Sequence, residues 1–150
     1  MKPEKSPASR QKGVMLLEAL IAILIFSMGI LALVGMQANT INYVSDAKYR
    51  ADASFIANKI IGEMWVNRAN LATYACNPCT TSNGNAGTQA WVTQMQAAGN
   101  TPLPGVTNLA NQPRIVMGAV NNQVTVTVFW LPPKSSGPHS HTAIAYVNNP

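Results

Sequence analysis

Between Ala19 and Ser45 the chain carries no charged side chain, and that stretch limits what it can fold into more than any other feature. Its most apolar part, residues 19–36, would extend roughly 27 Å as a helix, close to the ~30 Å hydrocarbon thickness of a bilayer. Lys2, Lys5, Arg10 and Lys12 precede it, opposed only by Glu4. Basic residues flanking a span are retained in the cytoplasm, so the N-terminus is expected inside and everything after about residue 40 exported. The same clustering argues against nucleic acid as a partner. The formal charge is +5, but beyond Val14 the six basic and four acidic residues form no basic patch. At 150 residues there is room for one small domain. With 47% hydrophobic and 10% charged residues, the composition suits neither a disordered tail nor a highly soluble cytosolic enzyme.

One residue is out of place in this segment. Lys12 to Phe26 read KGVMLLEALIAILIF, with Glu18 among the apolar residues. A carboxylate in an apolar helix costs about 2.5–3.5 kcal/mol at mid-membrane and less near the edge. An ordinary secretory signal has a shorter apolar region, no acid within it and a small-x-small cleavage site, of which Met36-Gln37-Ala38 is a poor example. An uncleaved signal anchor accounts for length and orientation but leaves Glu18 unexplained.

A short basic leader ending in Gly13, followed by an apolar helix with Glu at its fifth position, resembles the class III signal of type IV prepilins. The resemblance implies that a prepilin peptidase cuts between Gly13 and Val14 on the cytoplasmic side and that the helix is kept. It also implies that Val14 becomes the N-methylated terminus. Glu18 would then be an assembly residue, neutralising the terminal amine of a neighbouring subunit. The stretch LLEALIAILIFSMGILALVGMQ, with Gly29, Gly35 and Gln37, is similar to the N-terminal helix of PilV-type minor pilins. This sequence departs from the family pattern in two places: Val14 stands where Phe is usual, and the helix lacks the proline of major pilins. The family implies an inner-membrane precursor with a periplasmic head, later an extracellular pilus, with other minor pilins and the major pilin as partners. Three parts follow: leader 1–13, membrane or filament-core helix 14–40, and exported head 41–150.

Beyond residue 40, helical spacing continues through Ile41, Val44, Ala47 and Ala51. It goes on through Phe55, Ile56, Ile60, Met64 and Trp65, while Lys48, Arg50, Asp52, Lys59 and Arg68 can face water. No proline interrupts residues 14–77. The spacing predicts one helix from about Met15 to Ala69, with two helices meeting near Asn39-Thr40 or Asn42 as the alternative. Residues 77–89 read as a surface loop. Thr88 is expected to cap a short helix over residues 89–98, ended by Gly99, with Trp91, Val92 and Met95 inward. After a loop around Pro102-Leu103-Pro104-Gly105, residues 114–120 and 123–130 read as strands joined by a tight turn at Asn121-Asn122. Val124, Val126 and Val128 alternate with Thr125 and Thr127. Residues 131–141 read as a link and 142–147 as a third strand. The fold class is therefore α+β and pilin-like: a long N-terminal helix whose C-terminal half packs on a small antiparallel sheet.

Four features could carry chemistry in the head. Cys76-Asn-Pro-Cys79 has the spacing of a thiol redox site, but it follows a helix and enters a loop. In an exported domain, two cysteines this close are expected to form a disulfide. His139 and His141 could join them as zinc ligands, but no standard finger spacing appears, and solvated loop histidines are the simpler reading. Trp65, Trp91 and Trp130 are expected in the core. No Ser-His-Asp order, carboxylate pair or phosphate loop stands out, so no catalytic, metal or cofactor site is assigned. The expected function is that of a structural subunit contributing to pilus initiation, to a tip complex and to adhesion. The alternatives are a minor pseudopilin of a type II secretion system and a membrane-anchored thiol oxidoreductase using Cys76 and Cys79.

Overall fold

The computed structural model describes residues 11–97, 103–119 and 122–147. Most of the leader, Ala98 and Gly99 at the end of the short helix, Pro102, and Val120 and Asn121 of the hairpin lie outside the described residues. The chain divides into two units after Val44. Helix α1, Gln11–Val66, contributes to both. It is one unbroken element through Asn39, Thr40 and Asn42. No proline or glycine falls between Gln37 and Ile61, so the mediocre helix formers at residues 39–45 do not break it. Within the apolar half the Ser27 and Thr40 hydroxyls donate back to the carbonyls of Ile23 (2.7 Å) and Met36 (3.0 Å), so each finds its partner within the helix.

The helix stops a turn or so earlier than its apolar spacing predicts. The Asn67 amide still donates to the Glu63 carbonyl (3.0 Å), but Asn67 itself has left the helical region at φ −107°, ψ 37°. Its side-chain oxygen accepts from the Asn70 side-chain carboxamide (2.9 Å) and its side-chain nitrogen donates to the Tyr74 hydroxyl (3.3 Å). Asparagine side chains compete with helical backbone in this way. A 3₁₀ segment, Arg68–Tyr74, follows, interrupted at Asn70.

In the second unit, α1 buries Ala53, Ile56, Ala57, Ile60, Ile61 and Met64, a stripe at spacings of three and four. Phe55 (71% exposed) and Trp65 (44%) fall outside it, contrary to the wider apolar face read from sequence. At 100° per residue Trp65 lies about 40° past the edge of that stripe and Phe55 on roughly the opposite side of the helix. Ile41, Val44, Ala47 and Ala51 are exposed as well. Helix α2, Ala86–Gln96, begins three residues before the expected start, and its cap is Asn85, not Thr88. The Asn85 carboxamide oxygen accepts from both the amide (2.8 Å) and the hydroxyl (3.1 Å) of Thr88, which is itself buried. Asn is among the strongest N-cap residues, and Thr88 becomes the residue that is capped. Trp91, Val92 and Met95 face the core as expected, and the Trp91 indole donates to the Ile56 carbonyl (3.1 Å), pinning α2 to α1.

Strands β1 (Arg114–Met117), β2 (Gln123–Trp130) and β3 (His139–Tyr146) form an antiparallel sheet in the order β1-β2-β3. β2 has the expected bounds, and Val124, Val126, Val128 and Trp130 are buried in one cluster with the α1 stripe. β1 is shorter than expected. Met117 pairs with Val124 and the Gly118 amide donates to the Gln123 carbonyl (2.7 Å). Of the expected Asn121-Asn122 turn, only Asn122 is among the described residues. Asn122 still takes the positive φ expected of it, 50°. β3 starts three residues early because β2 runs on to Trp130, whose backbone pairs with His139. The result is an α+β layout, a long N-terminal helix followed by a small antiparallel sheet, as the pilin resemblance implies.

Candidate functional site

Gly13, Val14 and Glu18 lie in the first turns of the described α1. Val14, Leu17, Glu18, Ile21, Ala22 and Ile25 share one face of the helix, because their spacings of three, four and seven return to the same side. Glu18 is therefore a carboxylate on an exposed apolar stripe. Among the described residues it has neither a hydrogen bond nor an ion pair. An α-amine created at Val14 would lie one helical turn away along the chain. The apolar half of α1 is long and apolar enough to cross a membrane, and none of it is buried within the protein. It is compatible with a single-pass anchor near the N-terminus.

Cys76 and Cys79 are joined by a disulfide. Cys76 is 8% exposed and Cys79 0%, and the segment is fastened along β1. The Cys76 amide donates to the Ile115 carbonyl (3.0 Å), the Ile115 amide to the Cys76 carbonyl (2.8 Å), and the Cys79 amide to the Pro113 carbonyl (2.7 Å). Sulfurs this enclosed give little access to an attacking thiolate, so the bridge suits a brace that holds the 76–79 loop in shape against β1.

His139 is neither on a loop nor simply solvated. Its Nδ1 lies 3.0 Å from the Asp46 carboxylate on α1, its Nε2 lies 3.3 Å from the Ser135 hydroxyl, and its ring meets Trp130 edge-on. Sequence reading missed this trio, since 93 residues separate Asp46 from His139 and no local pattern marks the pair. The order carboxylate, imidazole, hydroxyl is that of a nucleophile relay, but the Ser135 hydroxyl donates to the Gly137 carbonyl at 2.8 Å, so its proton points away from the imidazole. The Asp46 and His139 side chains are 36% and 40% exposed. The arrangement ties the start of β3 and the link before it to the helix. His141 lies two residues along β3, and Cys76 and Cys79 are committed to their bridge. Among the described residues no three His, Cys, Asp or Glu side chains are gathered for a metal.

Two hollows also mark the head. One, about 330 Å³, is lined by Asp52, Phe55, Ile56, Lys59, Trp91, Gln94 and Met95, with the Lys59 ammonium donating to the Gln94 side chain. The other includes Glu63, Asn67, Thr73, Tyr74 and Gly87. The Glu63 carboxylate rests against Gly87 in the first turn of α2, where any β-carbon would collide with it. A negative charge at that helix end is favourable.

Comparison with protein-family models, curated proteins and solved structures finds no match to this chain. Two features most restrict the chemistry: an acid without a partner among the described residues on a membrane-length apolar helix, and an α+β head with a buried disulfide.

Proposed function

We propose that this chain is a minor pilin of a type IV pilus, PilV-like in its N-terminal helix. In this reading a prepilin peptidase processes it between Gly13 and Val14, and Val14 is methylated. The inner membrane holds it until it joins other minor pilins and the major pilin. It contributes structure to a tip complex that starts assembly, and its head is available for adhesion. The observation carrying the reading is Glu18, which is exposed on an apolar stripe, without a partner among the described residues, and five positions from the Gly13-Val14 junction. A buried charge lacking its counterpart is strongly penalised. A carboxylate kept in such a helix therefore calls for a cation supplied on docking, and a new α-amine on a neighbouring subunit supplies it.

The test is Glu18→Ala in the full chain. Membrane insertion and leader removal should remain normal. Incorporation into sheared filaments should fall at least about tenfold, because an unpaired buried charge costs ~3–5 kcal/mol. Undiminished incorporation would overturn the pairing on which the proposal rests.

A further inference from the structure

The two edges of the sheet are treated differently. At the β1 edge the strand is short, carries Arg114, and is covered by the disulfide segment through the Cys76-Ile115 bridge. Among the described residues β3 has none of these protections. Its sequence, HSHTAIAY, runs eight residues with no Lys, Arg, Asp, Glu or Pro, the devices that normally blunt an edge. The Val147 amide donates to the Asn122 carbonyl (3.1 Å), and antiparallel pairs alternate. It follows that Ala143 and Ala145 exchange hydrogen bonds with β2, while the backbone groups of Ser140, Thr142, Ile144 and Tyr146 point away from it. Among the described residues those outward groups have no backbone partner.

The inner face is unfinished in the same place. Every inward side chain of β2 is buried, whereas the inward residues of β3 are His139, His141, Ala143 and Ala145, all only half-buried. The core stops at small side chains beside an open hydrogen-bonding edge.

We infer that β3 accepts an added strand from another protein: an extended segment with bulky apolar side chains at every second position. Main-chain groups of Ser140, Thr142, Ile144 and Tyr146 would bind it, and its apolar side chains would cover the half-buried alanines. A second copy of this chain is the poorer occupant. An antiparallel β3 pair centred on Ala143 would set Ala143 against Ala143 and His141 against Ala145, which adds no bulk to the inner face. The inference concerns the sheet alone, so it can fail while the filament proposal stands, and the reverse.

The experiment measures amide exchange on the full chain in detergent micelles, with the peptide Lys-Ile-Thr-Ile-Thr-Ile-Thr-Lys as probe and its block isomer Lys-Ile-Ile-Ile-Thr-Thr-Thr-Lys as control. In the free chain, the amides of Ser140, Thr142, Ile144 and Tyr146 should exchange at least about a hundredfold faster than those of Ala143 and Ala145. The alternating peptide should slow them about tenfold or more, and the block isomer should not. Ile144→Pro removes only an outward donor, which edge strands tolerate, and should abolish the peptide's effect while Ala143 and Ala145 stay protected. If that variant unfolds, Ile144→Lys, which keeps the amide but charges the edge, should weaken the effect instead. Slow exchange of the four amides in the free chain would overturn the inference, as would failure of the alternating peptide to outdo its isomer. Protection that rises with protein concentration alone would put a second copy on the edge and contradict the assignment.

Discussion

The two halves of α1 solve opposite problems with the same backbone. From Val14 to Val44 the apolar side chains point outward all round, and none of them is buried among the described residues. From Ala53 to Met64 all of them but Phe55 are confined to one stripe and buried, while Lys48, Arg50, Lys59 and Glu63 remain exposed. The second half satisfies its apolar surface with its own head. The first finds no cover among the described residues, and its all-round apolar surface suits a lipid bilayer or other helices. An acid therefore means different things in the two halves. Glu63 sits at a helix end that welcomes its charge, and Glu18 has no partner among the described residues.

Placing one substitution in both halves would sharpen that contrast. Ile60→Asp buries a lone charge in a fully packed site and should cost more than about 5 kcal/mol, the sum of lost packing and an uncompensated ion. The head's thermal transition should vanish while membrane association persists. Ile23→Asp should do the reverse at a smaller cost, ~2.5–3.5 kcal/mol against insertion, read as release by alkaline extraction with the head's melting temperature unchanged. If either variant disturbed both properties equally, the division of roles within the helix would be wrong. The smallest effect expected is at the head's second helix. Asn85→Ala should lower head stability by ~1 kcal/mol through loss of the cap, visible in denaturant unfolding and without consequence for insertion.

What could be read from sequence also differs between the halves. The membrane-length segment, the lone acid and β2 were legible because each is a pattern within a few residues: absence of charge, an odd carboxylate, strict alternation of Val and Thr. Asn85 was not, since a stretch such as NGNAGTQ offers several residues able to cap, and only the folded loop selects one. The start of β3 was hidden because His-Ser-His has weak strand character, and its extension is imposed by a partner strand that continues to Trp130. Phe55 and Trp65 were drawn into the apolar face by their side chains, but core membership follows angular position, which a broad window blurs. The Asp46-His139 contact joins positions far apart in the chain and left no local trace.

The central claim is that Glu18 is tolerated because removal of the leader gives it a cationic counterpart. Intact-mass and terminal-peptide mass spectrometry of the native protein tests this most directly. The account predicts a mature chain beginning at Val14, its amine carrying a methyl group. A chain that still begins at Met1, or that has lost the whole apolar segment, would contradict it.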